Sequence, residues 1–184
     1  MKTKWPRAQA MAVAEEMQAR LAPACERIAI AGSLRRGKTE CSDVELLFVP
    51  KMSQRRDGLF DTRIVDVCAE ACEQLLKEGV IAKRPNSNGH FAWGELNKLA
   101  IHVASGIGLD LFRTTEAAWW VALVIRTGSK ETNLRLTTGA QKQGGSLMAY
   151  GYGVKHSNGE VTRAESERHV FELCGVPYLE PEER

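Results

Sequence analysis

This chain has no long apolar run, no CxxC cysteine pair, no internal repeat and no low-complexity tract. Each absence narrows what it can be. Without about 18 consecutive apolar residues there is no candidate membrane span. The opening MKTKWPRAQAMAVAEEM places Glu15 and Glu16 where a signal peptide needs its apolar centre. A soluble, cytoplasmic protein is the expectation. The five cysteines, at 25, 41, 68, 72 and 174, are odd in number and unpaired in spacing, so neither a disulfide framework nor a zinc ribbon is indicated. Reduced thiols are expected, with Cys68 and Cys72, one helical turn apart, read as core packing rather than as metal ligands.

What is present is a chain of 184 residues with a formal net charge of +2, enough to bury a proper core as one compact unit or two small lobes. The charge is uneven. Residues 160–184 carry seven acids against three arginines, a net of −4, which leaves +6 on the preceding 159 residues. A basic body suits a polyanion held through its phosphates, although surface lysines serving solubility would give the same balance.

The most informative stretch is GSLRRGKTECSDVE, Gly32 to Glu45. It lies between a short β-prone run, Arg27 to Ala31, and a second strand, Val44 to Val49, ended by Pro50. Gly32, Ser33 and Gly37 are interleaved with Arg35, Arg36 and Lys38. Glycines admit an anion close to backbone N–H groups, and the cations add charge and forks. Residues two apart on a strand share a face, so Asp43 and Glu45 face one side while Val44 and Leu46 face the other. Two neighbouring carboxylates repel unless a cation lies between them, and Mg²⁺ takes one or two carboxylates plus substrate phosphates. The plain alternative is a solvent-facing edge strand and an ordinary basic hairpin.

A third carboxylate is available. Lys98 to Ala104 and Leu109 to Phe112 read as two strands separated by Ser105-Gly106-Ile107-Gly108, and Asp110 interrupts the second apolar run. A buried Asp in mid-strand needs a partner, either a metal or an arginine such as Arg113.

Elsewhere, residues 7–21 read as a helix ending before Pro23, 51–63 as a polar loop with an Asp57-Gly58 turn, and 66–78 as a helix closed by Gly79. Val80 to Lys83 reads as a short strand. The run RPNSNGHFAWG, 84–94, reads as a turn-rich insertion. Phe91 and Trp93 either cover the core or, with Lys83, Arg84 and Lys98 around them, face nucleic acid. Thr114 or Thr115 can cap a helix to about Arg126, with Trp119 and Trp120 in its core face, and a further helix starts at Ser129. Its N-terminus at Gly128 and Ser129 favours an anion. Closing the chain are a glycine-broken strand from Leu147 to Val154, a hairpin turn at Ser157-Asn158-Gly159, and a capping box Thr162-x-x-Glu165 opening a helix to Cys174.

The runs GSLRRGKTECSDVELL, LDLFRTTEAAWWVALVIRTGSKETN and TRAESERHVFELCGVPYLEPEER together resemble the family X DNA polymerases, over nearly the whole chain. The carrying features are the GS-to-DxE spacing, the TGS-x-x-x-N segment from Thr127 to Asn133, and the interval from Asp110 to that TGS. The resemblance implies an α+β fold: a nucleotidyltransferase palm, its mixed or antiparallel sheet covered by helices on one face, over 1–113, and a small α/β thumb-like lobe over 114–184. It implies a DNA-directed DNA polymerase adding deoxynucleotides from dNTPs to a DNA 3′ end, of the short-gap repair type. The DNA would be primed or gapped and the protein a monomer. Asp43, Glu45 and Asp110 would be the catalytic residues and hold two Mg²⁺ ions, with Mn²⁺ as a substitute. Gly32, Ser33, Arg36, Ser42, Gly128, Ser129, Lys130 and Asn133 would bind the nucleotide, and Lys83, Arg84, Lys98 and Arg126 the DNA. With about 30 residues before Gly32, no amino-terminal lyase domain is expected, giving a palm-plus-thumb form. Ile125 and Arg126 stand where the family has a bulky aromatic pair. This keeps open template-independent or other-acceptor nucleotidyl transfer, and a catalytically silent nucleic-acid-binding module is the third possibility.

Overall fold

A computed structural model describes residues 3–57 and 61–184. A two-residue strand, β1 (Trp5–Pro6), leads into α1 (Arg7–Leu21). Its Ala10, Val13, Ala14, Met17 and Leu21 recur at helical spacing and all are buried. The chain then forms β2 (Cys25–Ile30), the single helical turn α2 (Gly32–Arg35), the short β3 (Glu40–Cys41) and the long β4 (Asp43–Pro50). An antiparallel ribbon follows, β5 (Met52–Asp57) and β6 (Asp61–Asp66), then α3 (Val67–Lys77), capped by the Asp66 side chain accepting from Ala69 N. Strands β7 (Ile81–Lys83), β8 (Asn97–His102) and β9 (Gly108–Arg113) complete the main sheet.

That sheet has five strands in the order β2-β4-β9-β8-β7. It is mixed, as expected: β4 and β9 are parallel and the other neighbours antiparallel. Alternation along β4 and β9 separates its faces. Val44, Leu46, Phe48, Leu109 and Leu111 point into a core shared with α1 and α3. On the opposite face Leu47, Val49 and Phe112 pack against Trp119 and Leu123 of the helix α4 (Trp119–Thr127). That helix covers only half of this face. The uncovered half holds Asp43, Glu45 and Asp110, which is why the burial of β4 alternates at its start and becomes continuous after Leu46.

The remaining chain forms α5 (Lys130–Lys142), a three-stranded antiparallel sheet of β10 (Gly145–Leu147), β11 (Gly153–His156) and β12 (Val161–Arg163), and α6 (Glu167–Leu173). Val121 and Val124 of α4 join Leu136, Ala140, Val154 and Phe171 in its core, so α4 contributes to the packing of both parts.

Four sequence expectations are corrected. The segment read as a loop over 51–63 is strand over 52–57 and from 61 onward, pairing Met52 with Asp66 through Asp57 with Asp61, and the Gly58 of its expected turn lies outside the described residues. The helix expected from Thr114 or Thr115 starts at Trp119, after a turn in which Thr115 Oγ1 accepts from Ala118 N (3.3 Å). The strand expected from Leu147 to Val154 is two strands, β10 and β11. Thr162 belongs to β12, and the last helix is capped by Ser166, whose Oγ accepts from His169 N (3.0 Å). The five cysteines are free and buried, four of them in the main core, and Cys68 and Cys72 pack there as their spacing suggested. Among the described residues no helix is long and apolar enough to cross a membrane.

Candidate active site

β4 and β9 run in parallel register, with Asp43 opposite Gly108 and Glu45 opposite Asp110. Neighbouring strands lie about 4.8 Å apart, so the three carboxylates share one small region of the half-open face. Burial first, and then the charges of Asp43 and Asp110, push the Glu45 carboxyl up to about 7, against the opposing pull of Arg126 and Arg36. The Asp110 side chain is 18% exposed and forms an ion pair with Arg84. Arg113, the partner suggested by the sequence, is instead engaged by Asp66 (2.9 Å) and Glu95 (2.8 Å).

The turn after β2 approaches Glu45. Ala31 N–H donates to Glu45 O (2.9 Å), and Gly32 follows with φ +61°. A Cβ on Gly32 would stand 2.6 Å from the Glu45 carboxyl carbon, so only glycine admits this approach. Gly32→Ala is therefore expected to lose about 1–3 kcal/mol of stability through the left-handed backbone alone. It should also displace Glu45, and urea denaturation measures the first effect. A variant as stable as wild type would mean that the turn relaxes freely.

Ser33, half-buried, lies in α2, and Arg36 follows it. The Arg36 Nη1 donates to Thr127 O and packs on Gly128, where a Cβ would meet it at 3.0 Å. The turn and the TGS segment, far apart in sequence, thus meet through Arg36. Its Nε is buried and has no partner. Asn133, one turn into α5, donates Nδ2 to Ile125 O (2.9 Å), which leaves its Oδ1 buried without a partner. Ser129 caps α5, its Oγ accepting from Thr132 N (3.4 Å), and Lys130 is exposed beside it. Ser42 precedes Asp43 at the wall of a cavity of about 140 Å³.

Two sets of contacts in the site had no clear sequence signal, those of Glu167 and those of Arg126, which the resemblance had assigned to DNA. Arg35 Nη2 and Nη1 grip Glu167 at 2.5 and 2.8 Å, while Arg184 Nη1 donates to the same Glu167 Oε1 (2.9 Å), tying α2 to α6. Burial opposes the Glu167 charge, but hydrogen bonds and charge from Arg35, with Arg184 behind, hold its carboxyl below the usual range. Arg126 stacks its guanidinium 3.7 Å from the Phe112 ring centroid and 5.6 Å from that of Tyr150. The glycines and the arginine pair flag the turn, but partners 132 residues away do not show in a local pattern.

The expected basic and aromatic surface around 84–94 is corrected in part. Lys98 is only 7% exposed and donates to Gly94 O (2.7 Å), so it does not face a partner. Arg84 is turned inward to Asp110. Lys83 is exposed, 5.1 Å over the Trp93 ring, and Phe91 is 64% exposed and does not cover the core.

The three acidic side chains are of the donor type that hard divalent cations take. They offer carboxylate oxygens only, and the central one is short of positive charge. As placed, no three His, Cys, Asp or Glu side chains among the described residues form a group able to hold a metal ion, and Asp110 carries Arg84.

Residues 122–184 match the family described as DNA polymerase beta thumb. DNA polymerase lambda of Rattus norvegicus is 28% identical over 168 residues, an alignment covering 83% of this chain. The chain spans 28% of the length of that relative. Both matches agree with the resemblance to family X DNA polymerases drawn from the sequence.

Proposed function

We propose that this polymerase-like chain is a metal-dependent nucleotidyltransferase that adds deoxynucleotides from dNTPs to a DNA 3′ end, with 1–113 as palm and 114–184 as thumb. The observation that carries the reading is the parallel register of β4 and β9, which sets Glu45 opposite Asp110 and keeps Asp43 on the same face, with the Gly32 turn against Glu45. Divalent cations held by these carboxylates would neutralise charge on the attacking and leaving oxygens of phosphoryl transfer.

The chain's own groups supply the rest. Gly32 and Ser33 present backbone close to the carboxylates, where a triphosphate would lie. Arg36 is fixed by Thr127 O and has an unsatisfied Nε, which a phosphate oxygen would satisfy. The orphaned Oδ1 of Asn133 offers an acceptor for a donor on the sugar or base. Catalysis of this kind rests on positioning and charge stabilisation, and Arg36, Arg126 and the N-terminal end of α5 surround the site with positive potential. Lys83 and the basic body would contribute sequence-independent contacts to the DNA backbone.

A substrate-panel extension assay tests this reading. Gapped, primed and single-stranded DNA are each supplied with Mg²⁺ and either dNTPs or NTPs. The expected result is extension of gapped or primed DNA by the nucleotide the template specifies. Product that ignores the template would favour template-independent transfer. Filter binding without turnover on any substrate would leave only the binding module.

A further inference from the structure

Arg84 leaves β7 one residue after its end, crosses the intervening β8 and places its guanidinium on the Asp110 carboxylate of β9. Its Nε donates to Ala100 O (3.2 Å) on the way. On its path the guanidinium lies against Gly108. A Cβ there would touch Arg84 Nε, Cζ and Nη2 at 3.4, 3.5 and 3.6 Å, in ordinary contact, so a side chain larger than alanine is needed to crowd the guanidinium.

Resting on the reading of Asp110 as a cation ligand, we infer that Arg84 is a resident counter-cation that must leave Asp110 before a divalent cation binds there, and so sets the cation concentration the protein needs.

Three observations favour competition over a plain structural ion pair. First, the pair occupies the carboxylate that stands directly opposite Glu45 across the β4–β9 pair, where a cation shared by the two would sit. Second, the pair is not sealed: Arg84 is 25% and Asp110 18% exposed, so water can replace the contact at moderate cost. Third, the guanidinium has somewhere to go. The cavity of about 140 Å³ beside it is lined by Trp5, Ser42, Asp43, Arg84, Gly106 and Gly108. A swing about the Arg84 side-chain torsions into this space frees Asp110 without moving either strand.

The test measures Mn²⁺ binding to nucleotide-free protein by the loss of the free-ion electron paramagnetic resonance signal, in wild type, Arg84→Met and Asp110→Asn. Arg84→Met is expected to tighten Mn²⁺ binding by at least about tenfold, the size of effect an adjacent cation has on a carboxylate. Gly108→Val, which crowds the guanidinium and leaves Arg84 in the chain, is a second variant expected to shift binding the same way. It keeps the test open should Arg84→Met fail to fold. Asp110→Asn is expected to weaken binding. If wild type binds Mn²⁺, Asp110→Asn weakens it, and the folded Arg84 or Gly108 variants bind no tighter than wild type, this inference is overturned while the reading of Asp110 stands. If Asp110→Asn changes nothing, or wild type binds no Mn²⁺, both fall together.

Discussion

Asp110→Asn is expected to lower Mg²⁺-dependent primer extension by at least about a thousandfold, the upper end of what removal of one group stabilising transition-state charge costs. The substitution keeps the shape of the side chain and removes only its charge. The strand itself should persist, because Leu109 and Leu111 on either side remain buried in the main core. Far-ultraviolet circular dichroism and a melting curve check that the variant is folded, and a salt titration of DNA binding checks that the basic body still engages its partner. Extension at the wild-type rate by a folded variant would remove Asp110 from the chemistry and with it the three-carboxylate reading.

The largest effect on stability is expected at Glu167. This carboxylate is 11% exposed and receives two arginines, Arg35 and the fully covered Arg184. Glu167→Ala leaves both guanidinium groups without their counter-charge, and breaking a buried pair from one side costs about 3–5 kcal/mol. Urea denaturation measures this. Glu167→Gln should fall between wild type and the alanine variant, since it keeps a hydrogen-bonding shape without the charge. Because the folded protein holds the Glu167 carboxyl below its ordinary range, the contribution is fully present above the unfolded value of about 4.3 and is lost as pH falls through the folded one. The wild-type protein should therefore lose stability on acidification below pH ~4.3 more steeply than Glu167→Gln. Parallel pH profiles for the two would show that Glu167 is not the group responsible.

The readability of the sequence follows physical lines. The helix α1 was legible to the residue, since one of its faces is buried and the other is not, and Pro23 follows it. That Asp43 and Glu45 share one face of a strand was legible for a related reason. Hydrophobic residues alternate around them in β4, and the glycine before them has no other use for its positive φ than to approach a neighbour. The β5–β6 ribbon was not legible. Most of its residues are exposed, so no buried face imprints a period of two, and MSQRRD reads as loop. Thr162-x-x-Glu165 satisfies the capping-box pattern, yet pairing with Val154 claims Thr162 for a strand and Ser166 takes over the cap. Arg84 was grouped with Lys83 and Lys98 as a basic surface around Phe91 and Trp93. Strand order decided otherwise, by bringing residue 84 across to residue 110. Long-range pairing of charged groups is set by topology, and a local pattern carries no trace of it.

The helix α4 has Trp119 and Leu123 among the side chains against one sheet, and Val121 and Val124 among those of the other lobe. Such a shared beam leaves no seam along which the molecule divides into two self-sufficient pieces. A cut before Trp119 strips the sheet of its cover over Leu47 and Phe112, and a cut after Thr127 takes two valines from the carboxy-terminal core. Relative motion of the lobes must then turn on the helix itself, rolling it against one partner or the other, and the residue at its end is Thr127, whose carbonyl Arg36 holds.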